Sequence, residues 1–401
     1  MSCRSRSSSR ALIPPDSDSH VKILIIGGGI GGLATAIALR RQGIDAQVYE
    51  RATAVRELGA GLSLWRNALV ALDALGVGDA CRALSAPYTG AALRRRDGRV
   101  IVSPAESELK RLVGEVGLVL HRAALLQILS EALGPEHLHL GHTCLSVQES
   151  AHGVTATFEG RGDVHADGLV GADGLHSVVR GAVLGSAEPV YSGYTAWRGV
   201  TTFDHAELAV GESWGPGQRF GQVPMAHGEV YWFATQNAPA GTRAHGGEKA
   251  EVLRLFGGWH HPIASLVERT DASAVLRNDI FDRPPSRRWS RGRVTLVGDA
   301  AHPMTPNLGQ GACQALEDAV VIARALNTAP DIASAWQIYE RTRRARAAFI
   351  TRASRRIGAM GQVENPLAIA ARDLLVGLVG RFQVRQIVSL VSYNATTAPL
   401  R

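Results

Sequence analysis

The residues best suited to chemistry lie between Gly298 and Ala312. Asp299 follows a glycine at the end of the run Val294-Thr-Leu-Val297, and Pro303 and Pro306 stiffen the segment after it. Gly309, Gln310, Gly311 and Ala312 then open a helical period that runs to Leu326. Bare backbone at Gly309 and Gly311 lets a flat ligand lie against the chain, and the first N–H groups of the helix point at it without intrahelical partners. Such a geometry suits a delocalised anion. A reduced isoalloxazine ring carries that charge at its pyrimidine end, so the segment reads as a flavin-holding loop, with Asp299 on the ribityl hydroxyls and Pro306 beside the ring. The plainer alternative is a polar loop ahead of a core helix.

A second set of residues suits a pyrophosphate. The apolar run Val21–Ile26 enters Gly27-Gly-Gly-Ile-Gly-Gly32, a G-x-G-x-x-G spacing, and then a helix from Leu33 to Arg41. Gly27 permits the tight turn, Gly29 lets backbone approach phosphate, and Gly32, with Gly31 beside it, allows close helix–strand packing. A second strand-like run ends at Glu50, about 20 residues on, where a carboxylate accepts ribose hydroxyls. Arg51 is placed to line the adenine. Ser63, after the small residues Gly59 to Gly61, is a further candidate for contact with the cofactor.

Taken together, Gly298-Asp-Ala-Ala-His-Pro303 through Gln314 resembles the second flavin motif of the single-component, FAD-dependent aromatic hydroxylases. That family includes para-hydroxybenzoate, salicylate and urate hydroxylases and zeaxanthin-epoxidase-like enzymes. Ala166–Arg180 resembles its Asp-Gly motif, associated there with FAD and NAD(P)H. Asp173 then holds Arg180 or nearby loop amides, or serves as a structural brace. The resemblance also implies that Arg122, at a strand-to-helix junction, reaches FAD rather than a surface carboxylate. Arg219 and Tyr231 resemble the arginine and tyrosine that contact substrate in urate hydroxylase, although a strand-edge surface charge is the other reading of Arg219. Asn307 replaces an aspartate of that enzyme and Arg198 differs after the tryptophan, which argues against urate itself.

The implied activity is insertion of one oxygen atom from dioxygen into an aromatic or alkenyl small molecule through a flavin hydroperoxide. FAD is the resident cofactor, and NADPH or NADH is a transient co-substrate. A flavin reductase or oxidase on the same scaffold, or a non-catalytic flavin sensor, remains the alternative. The absence of W-x-W-x-I-P argues against a halogenase.

These motifs need elements to position them. With 401 residues the chain exceeds one ordinary core. The expected class is α/β: a Rossmann-like FAD-binding domain in two parts, 21–185 and 286–345, around an antiparallel substrate-binding sheet over 186–285. Residues 1–20, rich in Ser and Arg, read as a disordered leader, and 346–401 as a C-terminal helical segment whose apolar end, 366–391, packs as a cap or dimer face. The sheet is expected from aromatic and β-branched residues broken by glycines.

The formal charge of +7 is scattered among carboxylates with no nucleic-acid signature, so the partner is a small molecule, aromatic or isoprenoid, and not a nucleic acid. The chain has no run long enough to span a bilayer. Its four widely spaced cysteines form no metal or disulfide framework, which places it in a reducing cytoplasm, as a monomer or homodimer.

Overall fold

The computed structural model describes residues 21–55, 60–88, 91–103, 106–380 and 384–401. The leader and Gly59 lie outside them. A parallel sheet of five strands runs in the order Val294–Leu296, Gly168–Gly171, Lys22–Ile26, Asp45–Glu50, Leu138–Leu140. Its central strand is apolar on both faces because helices cover both, and Ile23, Leu24 and Ile25 are fully buried. Burying such a side chain contributes about 1.5–3 kcal/mol. The helix Ile30–Arg40 leaves that strand through the glycine turn. The helix Gly311–Thr328 packs against it, and Gly31 permits the approach: a Cβ there would lie 3.3 Å from the Ala315 methyl.

Val294–Leu296 joins this sheet beside Gly168–Gly171, although more than a hundred residues separate them. Those residues supply most of a seven-stranded sheet, ordered Leu276–Asp282, Val190–Thr202, Glu229–Asn237, Gln218–Pro224, Gly211–Gly215, Ala92–Arg95, Val100–Val102. Two strands thus come from upstream of the stretch in which the sequence places this sheet. The sheet is also not wholly antiparallel, because Gly211–Gly215 runs parallel to Ala92–Arg95. One face packs Trp197, Phe220 and Trp232 against the helices Glu248–Phe256 and Ile263–Arg269. By strand alternation the other face presents Arg198, Arg219, Tyr231 and Phe233 toward the glycine-rich loop.

The long helix Ile332–Gly361 crosses behind that loop and is followed by Pro366–Val379. The latter inverts the usual polarity of a surface helix: Arg372 and Asp373 are buried, while Leu367, Leu374, Leu375 and Leu378 are 57–82% exposed. The expected cap is therefore only half a cap, since its charged residues face inward and its leucines outward.

Candidate cofactor and substrate site

The glycines of the first turn divide by task. At Gly27 φ is +111°, and a Cβ would strike the Ala172 carbonyl; one at Gly32 would strike the Gly27 carbonyl. Gly29 is different, because a Cβ there meets no atom within 4 Å. The first two therefore serve close packing, and the third leaves open space at the N-terminus of Ile30–Arg40. Glu50 sits at the rim of this space and accepts the N–H groups of Gly28 at 2.6 Å and Ala52 at 2.8 Å. Arg51 is exposed beside it.

Asp173 does not hold Arg180. Its carboxylate accepts the Ser177 hydroxyl at 2.5 Å and the Val178 and Val179 N–H groups at 2.8 and 3.2 Å, bracing the start of helix Val178–Leu184. Arg180 instead donates to the Ala300 and Ala301 carbonyls, where it supports the second loop from below. Burial, with Arg283 nearby adding to it, lowers the Arg180 pKa to about 10, while Asp173 takes the loop-amide and bracing role that was the other reading of it.

In that second loop Asp299 projects into open space, and among the described residues no protein donor meets its carboxylate. Protein crowds it on its remaining sides. That desolvation raises its pKa, with His302 and Arg122 opposing. Arg122 begins the helix Arg122–Leu133 and donates its backbone N–H to Ala60 at 3.0 Å. Pro306 is exposed. Gly309 takes φ +60°, Ser63 lies beside it, and the Trp65 indole N–H fixes the turn by donating to the Leu308 carbonyl at 3.1 Å. A Cβ at Gly311 would meet nothing within 4 Å, so the N-terminus of Gly311–Thr328, with Ala312 half-buried behind it, also faces open space.

Gln310 departs from expectation. Its side chain turns inward, 1% exposed, where its carbonyl accepts the Asn67 and Gln314 amides at 3.0 Å each. Only its backbone remains for a ligand. The inward turn belongs to a buried polar network. Asn67 also donates to Glu317 at 2.6 Å, Glu317 pairs with Arg343 and Arg346, and Arg343 donates to Asp318 at 2.8 Å. Asp318 then accepts the Gly298 N–H at 3.0 Å and meets His302 Nε2 at 2.6 Å. Burial alone would raise the Asp318 pKa, but His302 and Arg343 outweigh it and hold the carboxyl below its usual range.

On the facing sheet Arg219 is buried rather than a surface charge, at 2% exposure. It pairs through Nε with Glu212 and donates through Nη1 to Asn307 Oδ1 at 2.5 Å, joining sheet to loop. Burial works against the guanidinium charge, but Glu212 outweighs it and raises the pKa. Tyr231 packs over Gly61, where a Cβ could not fit. Burial raises its phenol pKa against the opposing pull of Arg198. The tyrosine is therefore a protonated donor at neutral pH.

Two open spaces at helix N-termini, those of Ile30–Arg40 and Gly311–Thr328, thus accompany a sheet face that carries Tyr231, Phe233, Arg198 and Arg219. The FAD binding domain family matches residues 20–354. This chain is an FAD-dependent class A monooxygenase. It is 43% identical over 364 residues to an aurachin C monooxygenase/isomerase of Stigmatella aurantiaca, covering 90% of this chain and 95% of that protein. It is 36% identical over 330 residues to an FAD-dependent urate hydroxylase of Klebsiella pneumoniae, covering 80% and 86%. The crystal structure of Klebsiella pneumoniae HpxO with FAD and uric acid matches at a TM-score of 0.86 and 32% identity, over 94% of this chain and 98% of that one.

The monooxygenase's own residues fit FAD: open space at Gly29 and Gly311, and an Asp299 carboxylate without a protein donor, are features a bound dinucleotide completes. Class A monooxygenases of this kind consume NAD(P)H, and the alternatives of a sensor or reductase are not favoured. Sequence reasoning missed Asn67, Glu212 and the Glu317–Asp318–Arg343 network. The adjacent acids Glu317 and Asp318 interrupt the apolar stretch Ala315–Ala323 of that helix, which was the available signal, since acids rarely sit fully buried unless paired. Glu212 carries no such signal. Its role depends on strand pairing that places Trp214 opposite Arg219.

No helix among the described residues is long and apolar enough to cross a membrane.

Proposed function

We propose that this monooxygenase oxygenates an aromatic or alkenyl small molecule held between the flavin loop and the inner face of the seven-stranded sheet. FAD supplies the redox chemistry when bound, passing electrons from NAD(P)H to dioxygen so that one oxygen atom enters the substrate and the other leaves as water. The chain's residues do the rest. Gly29 and the helix Ile30–Arg40 receive the pyrophosphate, Glu50 the ribose, Asp299 the ribityl chain, and the N–H groups of Gly311 and Ala312 the pyrimidine end of the ring. Ser63, Arg122 and Gly309 border the same space, and the exposed Pro306 would lie beside the ring.

The observation that carries the substrate reading is the wall itself. Tyr194, Tyr231 and Phe233 share the loop-facing side of the sheet, and the Tyr194 hydroxyl reaches Asn307 at 3.2 Å. An aromatic wall excludes water and stacks with a flat substrate. Tyr231 then donates a hydrogen bond to a substrate oxygen or nitrogen.

Oxidation of NADPH and NADH, followed with oxygen uptake across phenolic acids, indoles, quinolones, purines, isoprenoids and aurachin C, tests the reading. The expected outcome is oxygen-consuming turnover stimulated by an aromatic or prenylated compound, with a product heavier by one oxygen atom. NAD(P)H oxidation that no such compound accelerates, or that yields only hydrogen peroxide, would refute it.

A further inference from the structure

The charge around Arg219 is closed. Its Nε pairs with Glu212, whose Oε1 also accepts the Trp214 indole N–H at 2.6 Å. Its Nη1 meets Asn307, an uncharged amide whose capacity is already used: Oδ1 accepts Arg219 and the Tyr194 hydroxyl, while Nδ2 donates to Thr305 Oγ1 at 2.9 Å and the Ser354 carbonyl at 3.0 Å. One buried guanidinium is thus matched by one carboxylate. An anionic substrate drawn to Arg219 would bring a second negative charge beside Glu212 in a region of low dielectric, where like charges repel strongly. Alternatively it would have to displace Glu212 and leave that half-buried carboxylate without its guanidinium partner.

Two other cations share this face. Arg95 is paired with Asp373 at 2.9 Å. Arg198 is half-buried, lies two strands away and donates to Asn278 Oδ1 at 3.1 Å, and its charge acts on the neighbouring Tyr231 phenol rather than beside Arg219.

We propose that Glu212 is a specificity-determining residue: by neutralising Arg219 on strand Gly211–Gly215 it restricts the site to uncharged aromatic substrates and excludes carboxylates and other anions. This rests on the reading of the sheet's inner face as the substrate wall. Glu212 need not touch the substrate. It cancels the Arg219 charge in the field that the substrate meets, and it leaves recognition to the Tyr231 donor and the aromatic surface.

The test uses two bicyclic probes of nearly equal shape, 2-methyl-4-quinolone and 4-hydroxyquinoline-2-carboxylate, which differ in bearing a methyl group or a negative charge. Dissociation constants are read from the perturbation of the flavin absorbance in the full-length, FAD-loaded protein. The unsubstituted protein and the charge-conserving variant Glu212→Asp are expected to bind the methyl compound at least tenfold more tightly. Glu212→Gln uncovers Arg219 and is expected to lower that preference at least tenfold, chiefly by tighter binding of the carboxylate. An unchanged preference in FAD-loaded Glu212→Gln, a carboxylate preference in the unsubstituted protein, or no flavin perturbation by either probe would each overturn the proposal. Flavin content and substrate-free NADH oxidation, measured on the same samples, separate this failure from that of the monooxygenase reading. Loss of both in the unsubstituted protein would refute the latter, whereas a changed probe preference alone speaks only to Glu212.

Discussion

Gly29 and Gly32 are three residues apart in one motif, yet substitution should separate binding from folding. Gly29 has φ −74°, and a methyl group there meets only open space. Gly29→Ala should therefore fold with an unchanged unfolding midpoint in the absence of FAD while its flavin content falls at least tenfold, as read by the ratio of visible to ultraviolet absorbance. Gly32→Ala forces a methyl group into the Gly27 carbonyl and should yield little soluble protein. Equal losses from the two would contradict the division of labour.

Asp299 carries its own pH signature. Because desolvation raises its pKa, the carboxylate gains its proton at a higher pH than an ordinary aspartate. FAD affinity should thus weaken as pH falls toward that raised value, and Asp299→Asn should flatten the profile in a flavin-fluorescence titration. For stability the sign reverses. The folded form binds more protons than the unfolded chain between pH 3.8 and the raised value, so this residue destabilises the fold as pH rises through that window. The residue types at Asp299, Gly29 and Glu50 were legible because glycine spacing and strand-end acids have few other uses. Glu212 and Asn67 were not, since their meaning lies in partners far away in sequence.

At the scale of elements, the flavin loop is held by what lies behind it. Asp318 gathers the Gly298 N–H, His302 and Arg343, tying together the loop, the helix Gly311–Thr328 and the long helix Ile332–Gly361. Asp318→Ala leaves Arg343 with one fewer buried partner and should cost about 3–5 kcal/mol of stability by urea unfolding. A loss below about 1 kcal/mol would show the network to be incidental. With the Asp318 pKa depressed, its contribution is fully present above pH 3.8 and is lost only as pH falls through the depressed value, so the variant should lose that part of the acid-unfolding limb. Helix and strand identities were legible where the period was clean: the helical period expected to open at Gly309–Ala312 and run to Leu326 spans Gly311–Thr328. The seven-stranded sheet was only partly so. The pairing of Ala92–Arg95 with Gly211–Gly215 is a tertiary choice that no local pattern announces.

For the whole molecule, the inverted helix Pro366–Val379 separates apolar surface from stability. Leu374 and Leu378 are each 65% exposed and bury little on folding. Replacing both with Ser should shift the unfolding free energy by no more than about 0.5 kcal/mol per site, where buried leucines would cost about 2–5. A large loss of stability on denaturant titration would mean that these leucines pack in a way the exposure denies. The apolar end was expected as a cap or a dimer face, and its outward leucines are uncovered within the one chain, because apolar composition tells which residues seek cover, not whether that chain supplies it.

The parallel sheet has a further consequence in time. Its strand Gly168–Gly171 must wait for Val294–Leu296, and Glu50 must wait for Asp299, roughly 250 residues later in the chain. At synthesis rates of about 5–20 residues per second, the ribosome presents the pyrophosphate half-site roughly 12–50 seconds before the ring half-site exists. FAD therefore cannot template the early sheet. For the roughly 120 residues between Gly171 and Val294, about 6–25 seconds of synthesis, the edge of Gly168–Gly171 stays unpaired, so a nascent chain arrested before residue 294 is the species most exposed to strand-mediated aggregation and the one a holding chaperone would recognise.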